Sequence, residues 1–190
     1  MVNLTRIYTR TGDDGTTALG DFSRTSKNDP RLNAYADVDE TNSAIGVALA
    51  LGSLPSDLTA TLSRIQNELF DVGADLCTPV APNPEHPPLR VQPEYVKGLE
   101  DDCDHYNEQL APLRSFILPG GTAGSALLHQ ARTIARRAER ATWAAISADP
   151  ETTNVEPAHY LNRLSDLLFI LARVANPEGD VLWVPGGERQ

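Results

Sequence analysis

Apolar residues recur at intervals of three and four positions along most of this chain, and this spacing constrains its fold more than any other feature. One uninterrupted stripe consists of Leu58, Leu62, Ile65, Leu69, Val72 and Leu76. Such spacing places the side chains on one face of an α-helix, where they can be buried together. Comparable stripes recur from Tyr35 to about position 175, so the chain is predicted to form five helices.

The ends of these helices are marked by residues that start or stop a helix. The first stripe begins at Tyr35 and is ended by Gly52 and Pro55, after which Ser56 is a predicted N-cap. Pro93 suits the first turn of the third helix, and the last two helices cover about 123–148 and 156–175. With almost no strand pattern, the predicted fold is all-α: a five-helix bundle with a ferritin-like up-down arrangement.

The predicted organisation is a single domain over residues 1–190. An irregular polar segment covers 1–33, the helical bundle covers 34–175, and a short tail covers 176–190. Five prolines between positions 79 and 88 enforce an extended crossover, but the helical pattern resumes unchanged after it. The long irregular opening is expected to be functional or disordered, because such segments are uncommon inside compact domains.

Charge and cysteine content exclude several classes of function. Lys and Arg number 16 against 26 Asp and Glu, a net charge of −10, which disfavours nucleic acid and anionic membranes as partners. The 2 cysteines are too few for a disulfide framework. No secretory signal pattern is present, and the longest apolar run, Leu167–Ala172, is too short to span a membrane. We therefore expect a cytoplasmic protein.

The polar opening contains a candidate anion-binding loop. It reads Thr9, Arg10, Thr11, Gly12, Asp13, Asp14, Gly15, Thr16 and Thr17. The two glycines allow backbone N–H groups to approach an anion, and the threonine hydroxyls can donate to phosphate oxygens. Arg10, Arg24 and Lys27 add positive charge. The loop lacks the Gly-Lys-Ser/Thr ending of a Walker motif, and an ordinary turn remains the alternative.

The fourth predicted helix has a basic stripe. Arg132, Arg136 and Arg140 are spaced four residues apart and share one side of the helix, in a run that also contains Arg137 and Glu139. Because like charges at this spacing repel one another, an anion should offset them. Two kinds of partner are possible for these arginines: carboxylates of neighbouring helices, or a phosphate group held by the planar guanidinium groups.

Two further polar sets could belong to the same site. On the fifth helix, Asn162, Ser165, Asp166 and Arg173 form a stripe that needs partners in a bundle interior. The N-terminal loop and the arginines of the fourth helix could be those partners, or a ligand could. Near the start of the first helix, Asp37, Asp39 and Glu40 suit the helix dipole, and Asp39 could instead pair with one of the arginines. The 4 histidines have no spacing typical of a metal site, so no protein-held metal is certain.

Taken in order, these motifs resemble one enzyme family. TRTGDDGTT, AYADVDE, FILPGGT, ARRAER and LNRLSDLLF together resemble the PduO-type ATP:corrinoid adenosyltransferases, over about residues 5–175. The resemblance implies a five-helix homotrimer with active sites at subunit interfaces. It also implies transfer of the 5′-deoxyadenosyl group of ATP to cob(I)alamin, with Mg²⁺ on the phosphates and release of triphosphate.

The resemblance also assigns roles to individual residues. Thr9–Thr17 and Lys27 would wrap the nucleotide as the ATP-binding part of the 1–33 segment. The triphosphate would be held by the arginine run, Arg132, Arg136, Arg137 and Arg140, with Glu139 assisting. Asn162 would bind the nucleotide or its Mg²⁺, and Asp39 would pair with Arg132. Phe116 matches an aromatic residue at the lower axial face of the corrin, and a lid would come from about 176–185.

Three positions depart from the family pattern: Asp14 stands where Lys is frequent, Ala36 where Gly is usual, and Thr41 where Leu is usual. These departures predict an altered ATP affinity with unchanged chemistry.

Two other functions remain open at this stage. A phosphoryl-transfer enzyme would use Asp13 and Asp14 to hold Mg²⁺, whereas a non-catalytic nucleotide-binding trimer would pair its arginines with Asp39 or Asp166. A cobalamin reductase and a cobalamin-dependent mutase are the expected protein partners.

Overall fold

The computed structural model describes residues 7–84 and 86–189, and it consists of five helices and one small hairpin. The helices are α1 (Pro30–Leu51), α2 (Ser56–Cys77), α3 (Pro93–Asn107), α4 (Ala123–Ala148) and α5 (Glu156–Val174). The hairpin pairs β1 (Thr16–Ala18) with β2 (Arg24–Ser26), and a single 3₁₀ turn covers Gly186–Glu188. The all-α prediction is therefore confirmed. Within the described ranges, no helix is long and apolar enough to cross a membrane.

The helix ends agree with the sequence pattern except at three places. α1 begins at Pro30, before the predicted Tyr35, because the Asp29 carboxylate accepts a hydrogen bond from the Arg31 N–H and Pro30 occupies the first turn. Pro55, rather than the predicted Ser56, occupies the N-cap position of α2. α3 ends at Asn107, although its apolar stripe continues to Leu110. The opening 33 residues are therefore partly regular, and residues 1–6 lie outside the described part.

The core lies between helices that pack side by side. α1 packs against both α2 and α4, α4 packs against α5, and α3 covers α5. The stripe predicted for α2 is buried, and Ile45, Leu128 and Leu164 bring side chains of α1, α4 and α5 into the same core. Helices before and after the proline-rich crossover share this core, so the crossover does not divide the bundle.

Two buried ionic groups hold the helix ends together. Arg31 at the start of α1 donates to Leu76 O, at the end of α2, and to Thr152 and Thr153 in the α4–α5 connection. Asp75, near the end of α2, accepts from Arg90 at 2.5 Å, and also from the Val91 N–H and from Asn154. The second group, around Asp75, fixes the crossover to the end of α2 and to the α4–α5 connection.

Replacing Asp75 by alanine should destabilise the fold strongly. The Asp75 side chain is fully buried and Arg90 is largely so, which leaves the guanidinium without its carboxylate. Breaking such a pair costs about 3–5 kcal/mol in free energy of unfolding. Urea denaturation checks this against Asp101→Ala, which removes an exposed pair with Lys97 and should cost less than about 1 kcal/mol. Equal small losses in the two variants would show that Asp75 does not hold the crossover.

Candidate functional site

The candidate site is an open cavity where α4 and α5 meet the α3–α4 loop. Its volume is about 730 Å³. The lining residues are Leu113, Arg114, Ser115, Phe116, Ile117, Arg132, Phe169 and Trp183. The structure therefore brings together two predicted site residues that are 16 positions apart in the sequence, Phe116 from the loop and Arg132 from α4.

The loop that carries Phe116 is fixed at both ends, and at its start Ala111 O accepts from Arg173 at 2.8 Å. At its C-terminal end, the Thr122 hydroxyl caps α4 by accepting from the Ser125 N–H, and it donates to Ala175 O at the end of α5. Gly121 has a φ of 95°, and a Cβ there would approach the Asn176 side chain to 2.5 Å, so the turn requires glycine. Phe116 itself is 80% exposed. An aromatic ring left in solvent on an anchored loop is available to a ligand.

Arg132 faces the cavity from α4 and forms no ion pair with any described residue. Its guanidinium lies over the ring of Phe169, 5.9 Å from the centroid. Its Nε is buried and has no hydrogen-bond partner among the described residues. Burial lowers the pKa of Arg132, and the charge of Arg136 lowers it further. A half-buried cation with an unsatisfied donor favours binding of an anion.

The other residues of the arginine run have different surroundings. Arg136 and Arg140 are exposed, and neither forms an ion pair within the described part of the chain. Arg137 points to α1, where it pairs with Asp37 at 3.3 Å and with Glu40. The predicted grouping of Arg137 with the phosphate-binding arginines therefore does not fit one chain, because the i+1 neighbour of Arg136 lies about 100° further around the helix. Glu139 accepts from the Trp143 indole at 3.3 Å.

The N-terminal loop forms a compact hairpin whose polar groups bind one another. Asp14 accepts from the N–H and hydroxyl of Thr16, at 3.0 and 2.8 Å, and these bonds lower the pKa of Asp14. Arg24 donates to Thr11 O at 2.8 Å and to the Thr16 hydroxyl. The Asp14 carboxylate and the Arg24 guanidinium therefore stabilise the fold of the loop through hydrogen bonds within it.

Two cations of the loop remain available. Lys27 forms no ion pair with a described residue, and its ammonium lies against Gly12, where a Cβ would stand 3.0 Å from Nζ. Arg10 has a φ of 64° and its guanidinium stands over the ring of Tyr8 at 5.8 Å. The Gly15 carbonyl accepts from the Lys27 N–H at 2.9 Å, which closes the loop. Lys27 is thus held beside the predicted phosphate-binding glycines.

The hairpin is attached to α2, and the basic stripe lies on α4. The Gly20 N–H donates to Cys77 O at 2.9 Å, at the end of α2. Among the described residues, no hydrogen bond or ion pair joins residues 7–29 to the α4 arginines. Asp39 is exposed and likewise forms no ion pair with Arg132 in one chain. One chain alone therefore does not bring the predicted phosphate-binding groups together.

The polar stripe of α5 is mostly satisfied by neighbours that were not predicted. Arg173 pairs with Asp180 of the tail at 2.8 Å and donates to Ala111 O. Asp166 pairs with Arg163, and the Ser165 hydroxyl donates to Asn162 O. Within the described part of the chain, the predicted partners, the loop and the α4 arginines, form no hydrogen bond or ion pair with them. Within the described ranges, only the Asn162 side chain of this set has no hydrogen bond, and it is exposed.

Three residues of the cavity region were missed or assigned to packing from sequence. Phe169 lies within the apolar run of α5, and Trp183 belongs to the tail, so neither had a distinguishing pattern. His129 lies one turn before Arg132 and is 3% exposed, with a buried Nδ1 that has no partner among the described residues. Burial, and then the charge of Arg132, lower the pKa of His129, so the imidazole is neutral.

The described residues contain no group of three His, Cys, Asp or Glu side chains that could hold a metal ion. A divalent cation at this site would therefore need ligand oxygens from a bound substrate.

Comparisons with known proteins identify one family. Residues 7–175 match the family model described as cobalamin adenosyltransferase. The chain is 65% identical over 188 residues to a corrinoid adenosyltransferase of Mycobacterium tuberculosis, covering 99% of this chain and 97% of that protein. It is 49% identical to a cobalamin adenosyltransferase of Cupriavidus metallidurans, covering 95% of each.

A solved structure has the same fold. It is a variant of the PduO-type ATP:corrinoid adenosyltransferase from Lactobacillus reuteri, complexed with cobalamin and ATP. The TM-score is 0.86 at 39% sequence identity, and the match covers 95% of this chain and all of that one. The helical bundle and its loops are therefore shared along nearly the whole chain.

Proposed function

This chain belongs to the cobalamin adenosyltransferase family, and we propose that it transfers the 5′-deoxyadenosyl group of ATP to the cobalt of cob(I)alamin. One observation supports this function for particular residues. The exposed aromatic ring of Phe116 and the Arg132 guanidinium, which has no ion pair among the described residues, line the same cavity. Adenosyl transfer needs both, an apolar surface for the corrin and positive charge for the triphosphate.

The reaction requires no nucleophile from the protein. The electron pair of cob(I)alamin attacks C5′ of ATP, the cobalt–carbon bond forms, and the C5′–oxygen bond breaks with triphosphate leaving. The protonation state of the two cysteines agrees with a reaction in which cob(I)alamin supplies the nucleophile. Burial raises the pKa of Cys77 and raises that of Cys103 to about 11, so both thiols are protonated at neutral pH.

The arginine stripe would stabilise the leaving group. Negative charge accumulates on the triphosphate as the C5′–oxygen bond breaks, and fixed guanidinium groups aimed at that charge lower the barrier. Arg132, Arg136 and Arg140 share one side of α4 and form no ion pairs within the described residues. Mutual repulsion in the free protein would be relieved when the triphosphate binds.

Phe116 would act on the corrin rather than on ATP. Cob(II)alamin is hard to reduce while water or a base occupies its lower axial position. An exposed ring held against that face would exclude both ligands, so that the cobalt accepts one electron from an external one-electron reductant more readily. The anchored loop and the 80% exposure of Phe116 support this role.

The complete site is proposed to form between two copies in a homotrimer. The hairpin and the arginine stripe do not meet in one chain, whereas a neighbouring copy could place Lys27 and residues 9–17 over the stripe. The same contact would pair Asp39 with Arg132 across the interface. Exposed apolar side chains on α1 and α2, Val47, Leu51 and Phe70, support burial of this surface by another copy.

Mg²⁺ fits this site only as a companion of the nucleotide. Since the described residues offer no cluster of acidic ligands, the phosphate oxygens would supply most of its ligands, with the exposed amide of Asn162 as a candidate protein ligand. Bound there, Mg²⁺ would add positive charge at the leaving group.

We place the enzyme in the cytoplasm, with a cobalamin reductase and a cobalamin-dependent mutase as partners.

Anaerobic incubation with ATP and prereduced cobalamin tests the assignment. The expected products are adenosylcobalamin, followed by its absorption spectrum, and free triphosphate in equal amount. Formation of ADP and phosphate would instead support a phosphoryl-transfer enzyme that uses Asp13 and Asp14. Absence of any product, together with an ATP-independent melting temperature, would support a non-catalytic helical assembly.

A further inference from the structure

We propose that Trp183 is a positioning residue that holds the Phe116 ring in its active orientation against the corrin. This inference rests on the proposed function, and it assigns a role to a tail residue that the sequence analysis did not single out. The ring centroids of Phe116 and Trp183 are 6.1 Å apart with an interplanar angle of 73°, an edge-to-face pair. Both rings line the same cavity as Arg132.

The backbone places Trp183 beside Phe116 independently of the two rings. The Trp183 N–H donates to Phe116 O at 2.8 Å, and the Leu118 N–H donates to Val181 O at 2.8 Å. An isolated antiparallel bridge joins Ile117 to Leu182, and the Ser115 hydroxyl donates to Trp183 O. Because the tail contributes only backbone atoms to these bonds, any side chain at position 183 other than that of proline leaves them intact.

The tail is also anchored to the bundle before it reaches the loop. Asp180 pairs with the largely buried Arg173 of α5 at 2.8 Å. The Asn176 amide donates to Gly179 O, and Gly179 has a φ of 99°, which turns the chain toward the loop. Trp183 therefore lies on a fixed segment, so its ring offers the Phe116 ring a packing surface in a fixed position.

The Phe116 ring needs such a packing surface because few other side chains restrict its orientation. With 80% of its surface exposed, its ring has few packing neighbours, and Trp183, which is 40% exposed, is its one aromatic contact within the described residues. An edge-to-face pair of this kind biases a ring between orientations by about 2- to 12-fold. Loss of the Trp183 ring should therefore affect the step that depends on Phe116, reduction of cob(II)alamin, and leave the transfer step nearly unchanged.

The experiment compares two assays of the full-length protein: one starting from cob(II)alamin with a one-electron reductant, the other from prereduced cob(I)alamin. In Trp183→Ala, the first rate should fall by about 10-fold and the second by less than about 2-fold. Trp183→Phe restores a ring edge and should recover most of the first rate. Leu89→Ala, which removes an exposed apolar side chain from the proline-rich crossover outside the proposed site, is the control and should resemble wild type in both assays.

A spectroscopic readout separates positioning from a merely structural role. With ATP bound, wild-type protein should show the electron paramagnetic resonance signal of four-coordinate cobalt(II), and Trp183→Ala should show mainly the five-coordinate signal. If Trp183→Ala is poorly folded, Trp183→Leu keeps apolar bulk without a ring and should give the same selective loss. Equal losses in both assays, or wild-type rates in both, would overturn the role of Trp183. Wild-type protein inactive with prereduced cobalamin would overturn the proposed function itself.

Discussion

Arg132→Ala is expected to lower kcat for adenosyl transfer by on the order of 10²-fold, roughly 2.7 kcal/mol in activation free energy. Arg132 is half-buried, its Nε has no partner among the described residues, and it lines the cavity that also contains Phe116. The loss should fall on kcat because the triphosphate charge grows in the transition state. Rates with saturating ATP and prereduced cobalamin measure the effect.

Two further variants make this result specific. Arg132→Lys keeps the charge but loses the planar fork, so it should recover only part of the rate. Lys97→Ala removes one positive charge from an exposed pair on α3 and should leave kcat unchanged. Wild-type kcat in both Arg132→Ala and Arg136→Ala would remove the arginine stripe from the mechanism.

Phe116→Ala is expected to separate reduction from transfer more strongly than any other single change. The rate from cob(II)alamin should fall by on the order of 10²-fold, because water can then occupy the lower axial position that the ring would exclude. The rate from prereduced cob(I)alamin should change much less, since the nucleophile no longer has to be generated. Parallel rate measurements in the two assays give the ratio.

The control for Phe116 lies in the same loop. Leu118 is 49% exposed, is two residues further along, and does not line the cavity, so Leu118→Ala should retain both rates. A Phe116→Ala variant that loses equal factors in the two assays would argue for a general packing role of the loop, not an axial one.

Local patterns predicted most of the helices correctly. The bounds of α4 agree with the predicted 123–148, because its apolar stripe and the cap at Thr122 are encoded within a few residues. The start of α1 was missed although Asp29 and Pro30 form a recognisable cap and first turn. The polar residues that follow interrupt the apolar period there. The hairpin was missed because its strands have only 3 residues each, too few for alternation to appear.

The site was predictable where chemistry is local and unpredictable where it depends on packing. Helical spacing placed Arg132, Arg136 and Arg140 on one side of α4. It did not indicate that Arg137 would be paired by Asp37 and Glu40, since those carboxylates approach only when α1 packs beside α4.

The contact between Trp183 and Phe116 joins residues 67 positions apart through a backbone bridge. No periodicity encodes such a contact, because the two segments meet only after the tail has folded back along the α3–α4 loop. The residues around Phe116 were therefore visible only in the structure.

A structure of the assembled protein with ATP bound tests the central claim most directly. We expect triphosphate oxygens within hydrogen-bonding distance of Arg132, Arg136 and Arg140 of one copy, and of Lys27 and loop residues 9–17 of its neighbour. Nucleotide bound elsewhere, with the three guanidinium groups engaged only by carboxylates of adjacent helices, would contradict the account.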